Sequence, residues 1–185
     1  MKPAVVVVDM LNDAFTTHGI GMTPEVRLVI DKTNQLTKFA RSHSMPVIFA
    51  MDSFLRGDFI FRGKMKEHSI RGTNGANVTD KLIQTETDIY LPKRRFSAFF
   101  KTDLDQTLRL YNVDIVAISG INTHWCVLTT AMDALAHDFR AYIIEDCCTS
   151  YRGEIHTTIV DMYRKNPLHP LFQIMPLDDF INEFQ

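Results

Sequence analysis

Ala4-Val5-Val6-Val7-Val8-Asp9 is a run of five apolar residues, four of them β-branched, closed by a carboxylate. Side chains of a strand point alternately to opposite faces, so an apolar run without alternation is covered on both. Strands of that kind belong to parallel sheets flanked by helices. Working outward, the same unit recurs. Thr23 caps and Pro24 opens a helix that places Val26, Val29, Ile30, Thr33, Leu36 and Phe39 on one face. Pro46 to Ala50, Asp88 to Pro92, Val113 to Ser119 and Arg140 to Glu145 read as further strands, and Phe172 to Met175 as a short one that closes the series. Thr102 starts a helix, with Asp105 completing a capping box and Leu104, Leu108 and Tyr111 at core spacing. Thr123 to His137 and Glu154 to Arg164 read as helices as well. The expected fold is α/β: a three-layer, doubly wound, mostly parallel sheet with helices on both faces, in one domain over residues 1–185. Residues 53–87 interrupt the alternation with mixed charge and several glycines. An irregular excursion of that length in a compact fold carries function, as a pocket lid or as a reach toward a neighbouring subunit.

With 185 residues, 45% of them hydrophobic and 23% charged, the chain has the balance of a globular protein, which excludes disorder, collagen and coiled coil. A chain of this length buries about 70% of the surface its unfolded form exposes, so one core suffices without disulfides or a structural metal. Twenty basic against 22 acidic residues give a net charge of -2, and no segment concentrates cations for a phosphate backbone, so nucleic acid is not an expected partner. The first apolar run is too short for a signal peptide or a membrane span, which places the protein in the cytoplasm with no membrane partner. Three cysteines, none in CxxC spacing, exclude a disulfide framework and leave a reactive thiol possible in principle.

In open parallel sheets the ligand crevice lies beyond the carboxyl ends of the strands. The polar residues found there are Asp9, Asp52, Lys93 and the stretch Gly120 to Cys126. Taken singly each has an ordinary reading: Asp9 as a solvated strand end, Lys93 as a surface lysine before Arg94-Arg95, Cys126 as a small buried hydrophobe. Cys126, however, falls in the first turn of its helix, where free amide N–H groups and the helix dipole favour a thiolate. The same N–H groups suit an oxyanion formed when sulfur attacks a carbonyl.

Three segments, VVVVDMLNDAF (5–15), KRRFSAFFKTDL (93–104) and SGINTHWCVLTTA (119–131), together make the chain resemble the isochorismatase-like cysteine hydrolases. That group includes nicotinamidases and N-carbamoylsarcosine amidohydrolases. The resemblance implies a triad of Asp9 as proton acceptor, Lys93 as its charged partner and Cys126 as nucleophile. It also implies a non-proline cis peptide between Ile121 and Asn122, and an oxyanion hole from the N–H groups of Asn122 and Cys126. The implied reaction is amide or carbamoyl hydrolysis through a thioester with release of ammonia, and no redox cofactor is needed.

Nicotinamidases of this kind bind a metal through an Asp-x-His pair and a further histidine before a Gly-Thr-x-Gly-Ala segment. Asp52 and His68 match, with His68 ahead of Gly72-Thr73-Asn74-Gly75-Ala76, but Phe54 stands where the paired histidine belongs. The expectation is therefore no metal and no cofactor. A small amide or carbamoyl compound with a carboxylate, of the N-carbamoylsarcosine type, then fits better than nicotinamide, and Arg152 is the candidate for binding the carboxylate. Conversion of nicotinamide to nicotinate, or a catalytically silent member that binds a small metabolite, are the alternatives. The presence of Cys126 argues against vinyl-ether cleavage of the isochorismatase type. Phe15, Phe61, Phe96 and Trp125 are candidates to wall the pocket, and Cys147 and Cys148 are structural thiols. Association into a homo-oligomer is expected on general grounds.

Overall fold

The valine run at the start of the chain forms the central strand of the sheet in the computed structural model, which describes residues 1–16 and 19–185. All six residues of β1 (Pro3–Val8) are buried. Around it lie β2 (Val47–Asp52), β3 (Ile89–Lys93), β4 (Ile115–Ile121), β5 (Arg140–Thr149) and β6 (Phe172–Met175), in the order β3-β2-β1-β4-β5-β6 and parallel throughout. Consecutive valines of β1 supply both cores. Val6 and Val8 pack on the side of α2 (Leu104–Leu110), α3 (Leu128–Ala136) and α4 (Gly153–Arg164). Val5 and Val7 pack on the side of α1 (Pro24–Ser42) and α5 (Leu177–Phe184). Each fully buried valine contributes about 1.5–3 kcal/mol, and a polar residue at any of the four positions would lose that on one face or the other. The strand order reverses between β1 and β4, so the crevice opens where Asp9 and the segment after Ile121 leave the sheet.

Local chemistry accounts for most of the boundaries. The Thr23 hydroxyl accepts the Val26 N–H at 3.3 Å and Pro24 occupies the first turn of α1, as the sequence predicts. α2 begins at Leu104 rather than Thr102. The Thr102 hydroxyl donates to the Ala98 carbonyl (2.5 Å) and accepts the Leu104 N–H (3.3 Å) rather than that of Asp105, and the Asp105 carboxylate accepts from Arg109 (3.0 Å) one turn on, so the expected capping box is not made. The helix expected from Thr123 starts as a single π-helical turn, Thr123–Val127, before α3. β5 runs to Thr149, four residues beyond the expected end: the ladder with β4 shifts register between Ile118 and Gly120, after which Cys148 and Thr149 still pair. α5 is an element that the sequence reading lacks, although Leu177 and Phe180 are its buried face and Pro176 marks its start.

Segment 53–87 is ordered by short-range ties to the strand ends. It contains 3₁₀ turns at Phe59–Arg62 and Asn74–Ala76 and bridges Phe54 to Ile70 and Val78 to Leu11. Asp13 accepts the Ser69 N–H at 2.7 Å, and Asn12 donates to the Asn74 carbonyl at 3.0 Å. Among the described residues no helix is long and apolar enough to cross a membrane.

Gly120 sits at the switch point with φ +115°, and a Cβ there would collide with the backbone carbonyl of Val8. Both the dihedral and the close approach of β1 require glycine. Gly120→Ala is expected to lower the free energy of unfolding by more than about 1 kcal/mol, while Gly63→Ala, which meets no neighbour, stays within about 0.5 kcal/mol in the same urea titration.

Candidate active site

The floor of the crevice is a buried ammonium between two carboxylates. Lys93 ends β3 and Asp52 ends β2, and the parallel register pairs the two residues directly. Lys93 Nζ lies 2.6 Å from Asp52 Oδ1, 2.8 Å from Asp9 Oδ2 and 3.1 Å from the Arg95 carbonyl, with its side chain sealed from solvent. Asp9 follows β1 in the left-handed region (φ +53°), which turns its carboxylate back over the sheet edge, where Oδ1 accepts the Asp52 N–H at 2.7 Å. Asp9 Oδ2 is close to the ammonium but not aligned with it as a hydrogen bond, so this oxygen keeps accepting capacity.

Cys126 enters from the π-helical turn after β4. Its Sγ and the carboxylate oxygens of Asp9 and Asp52 all lie within 4.8 Å of one another. The structure therefore brings Asp9, Lys93 and Cys126 together. The peptide between Ile121 and Asn122 is cis, as the resemblance implies. Asn122 lies at the same edge, its Oδ1 accepting the Tyr151 N–H at 2.9 Å. A cavity of about 890 Å³ opens above these residues, walled by Ile20, Tyr151 and the segment Lys64 to Ser69, so the 53–87 excursion covers the site of its own chain.

Charge in this cluster is unevenly shared. Burial, reinforced by the Asp9 charge and opposed by Lys93, pushes the Asp52 carboxyl up to about 7. Burial alone would lower the affinity of Lys93 for its proton, but the carboxylates of Asp9 and Asp52 hold it above the usual lysine range. Burial also pushes the Cys126 thiol up, and the Asp9 charge adds to this while Lys93 opposes it. The pull of a helix start toward a thiolate, expected from the sequence, is thus opposed here by burial. The thiol is enclosed away from water beside two carboxylates, and both conditions disfavour its anion. Cys147 and Cys148 are buried, and burial pushes both thiols up too.

Other candidates fall elsewhere. Arg152 is not brought to the cavity: it caps α4, lies exposed with Nε 3.5 Å from Glu154 and its guanidinium over the Tyr151 ring, and Tyr151 rather than Arg152 lines the wall. An acid in the first turn of its own helix captures the side chain. Phe96 and Trp125 pack edge to face with ring centroids 4.6 Å apart, and Phe15 packs against the α1-side core; none of the three lines the cavity. Phe61 and Phe54 flank His68, at 5.6 and 5.5 Å between centroids.

That aromatic packing bears on metal binding. Phe54 is buried where a ligand would be needed, Asp52 is committed to Lys93, and His68 Nδ1 lies 2.9 Å from the Lys66 carbonyl. Among the described residues the one group with metal-ligand spacing is Asp9, Asp52 and Cys126, and the Lys93 ammonium already stands against both of its carboxylates. These residues do not fit a divalent ion. Sequence reading matched Asp52 to a metal ligand and missed it as the second partner of Lys93; the signal lay in the β2–β3 register, which sequence does not display.

A family model described as the isochorismatase domain matches residues 3–171. A probable inactive nicotinamidase of Arabidopsis thaliana is 31% identical over 170 residues, which span 86% of this chain and 87% of that protein. Among solved structures, N-carbamoylsarcosine amidase from Thermoplasma acidophilum is 29% identical with a TM-score of 0.82, covering 96% of this chain and 98% of that one. Pyrazinamidase of Pyrococcus horikoshii in complex with zinc is 26% identical, also with a TM-score of 0.82, covering 95% and 99%.

Two measurements check the charge distribution. A carboxyl whose folded pKa lies above its unfolded one favours folding only while protonated, so its stabilisation is complete below about pH 4 and lost as pH rises through about 7. Asp52→Asn is expected to flatten the fall in stability over that window by at least about 1 kcal/mol in urea titrations; an unchanged slope would place the proton elsewhere. Alkylation of Cys126 by iodoacetamide, read against Cys126→Ala, is expected to climb from pH 7 to pH 9, and a plateau reached by pH 6 would mean a preformed thiolate.

Proposed function

This chain belongs to the isochorismatase family, and from that premise we propose that it is a cysteine-dependent amidohydrolase acting on a small carbamoyl or amide compound of the N-carbamoylsarcosine type. One observation carries the reading: Cys126 Sγ lies within 4.8 Å of carboxylate oxygens of Asp9 and Asp52, with the Lys93 ammonium bound between them, at the base of a cavity sized for a metabolite. Similarity to N-carbamoylsarcosine amidase supports the substrate class.

In the proposed reaction the substrate carbonyl meets Cys126 while its oxygen faces the N–H groups of Asn122 and Cys126, which stabilise the charge that develops there. Sulfur bonds to the carbonyl carbon and the thiol proton passes to Asp9 Oδ2. Lys93 keeps Asp9 in place and offsets the negative charge as the proton moves. The tetrahedral intermediate expels the amino group, which takes the proton from Asp9 and leaves as ammonia, and Cys126 remains as a thioester. Water then adds to the thioester with Asp9 accepting its proton, and the proton returns to sulfur as the acid is released. Asp52 takes no proton in this scheme; it holds the Lys93 ammonium in place beside Asp9. No step uses a metal ion.

Ammonia release from chelator-treated protein offered N-carbamoylsarcosine and nicotinamide in parallel tests the reading. The expected outcome is turnover of the carbamoyl compound without added metal, reduced at least about 10³-fold in Cys126→Ala. Turnover of nicotinamide that returns only with added zinc would establish the nicotinamidase alternative, and silence on both with no thiol reactivity would establish a binding role.

A further inference from the structure

A chain of hydrogen bonds joins the edge of the site to α4 and takes no part in the steps above. Thr123 opens the turn that carries Cys126, and its buried hydroxyl donates to the Thr149 carbonyl at the end of β5 at 3.0 Å. The same oxygen lies 2.8 Å from Nδ1 of His156, in the first turns of α4. A hydroxyl has one proton to give. With that proton committed to Thr149, Thr123 Oγ1 can only accept from His156, so the imidazole carries its proton on Nδ1. Burial lowers the affinity of this ring for a second proton, against a weaker opposing pull from Glu145, which keeps it neutral in that one tautomer. The neighbouring residue is moored to the same stretch. Asn122 Oδ1 accepts from Tyr151 N–H, while the Asn122 carbonyl accepts from the N–H groups of Trp125 (3.0 Å) and Val127 (3.3 Å). The thiol-bearing turn is thus tied at two successive residues to segment 149–156.

We propose that His156 is a positioning residue for the nucleophile: by donating from Nδ1 to Thr123 Oγ1 it holds the turn Thr123–Val127 against the end of β5 and sets where Cys126 Sγ stands relative to Asp9. This rests on the reading of Cys126 as the nucleophile. Proton transfer to Asp9 requires the sulfur within reach of Oδ2, and misplacement of a reacting atom by about 1 Å is enough to cost on the order of 10²-fold in rate. A smaller displacement, from loss of one hydrogen bond, is expected to cost about tenfold.

The experiment uses the full chain with four variants: His156→Phe, which keeps a ring and removes the donor; Thr123→Val, which removes the hydroxyl; Thr123→Ser, which keeps it; and the His156→Phe/Thr123→Val double. Nitrogen-15 spectra of histidine-labelled protein report the tautomer, and iodoacetamide alkylation of Cys126 at pH 8.5 reports its placement. The expected result is a His156 proton on Nδ1, alkylation slowed about tenfold in His156→Phe and in Thr123→Val, no further loss in the double, and a rate within about twofold of the parent in Thr123→Ser. With a substrate in hand, kcat falls in the same ratio and KM holds. A proton on Nε2, or losses that multiply in the double variant, would overturn the proposal. If His156→Phe does not fold, the tautomer and the Thr123→Val against Thr123→Ser comparison decide it. Absence of any amidase activity would sink the proposed function, while tautomer and alkylation would still decide this one.

Discussion

A lysine ammonium sealed from water between two carboxylates is the constraint on which the rest of this structure depends. An isolated charge at that depth costs several kcal/mol, so Lys93 is tolerable only with oxygens on all sides. Those oxygens come from the ends of three neighbouring strands. Asp9 must leave β1 in the left-handed region, Asp52 must sit level with Lys93 across β2 and β3, and the chain after Lys93 must turn so that the Arg95 carbonyl points back. A slip of one residue in either ladder would send a carboxylate to the opposite face and strand the ammonium. Sheet register and site therefore specify each other.

Two acids on one base leave an excess of negative potential, and the cluster relieves it by keeping protons. Asp52 is pushed up toward neutrality and the Cys126 thiol stays protonated, both chiefly because water is excluded. In the proposed reaction the sulfur gives up its proton to Asp9 only as it bonds to the substrate carbonyl, so little exposed thiolate stands open to oxidation beforehand. The arrangement also explains why the cluster around Asp52 and His68 is unsuited to a divalent ion. Phe54, Phe61 and His68 form a packed aromatic group, and Asp52 has Lys93 as its counter-ion.

Much of the fold was legible because its signals are local. The valine run, the Thr23-Pro24 cap and the alternation of strand and helix each depend on residues a few positions apart, and they imply a parallel sheet whatever the rest of the chain does. An element misjudged was one decided by a distant partner: β5 extended past Glu145 because a register shift let Cys148 and Thr149 pair with β4. The missed α5 is different in kind, since its Leu177 and Phe180 spacing was there to be read.

For the site, the sequence by itself marked Asp9, Asp52 and Lys93, because polar residues at the ends of buried strands stand out against their apolar runs, while the grouping of Asp9, Lys93 and Cys126 is what the resemblance implies. Tertiary structure alone decided the rest. Proximity of Asp52 to Lys93, enclosure of the Cys126 thiol and the tie from His156 to Thr123 all depend on which residues far apart in the chain meet across a ladder or a loop. Charge and proton affinity follow from those through-space neighbours and from the exclusion of water, neither of which has a periodicity along the chain.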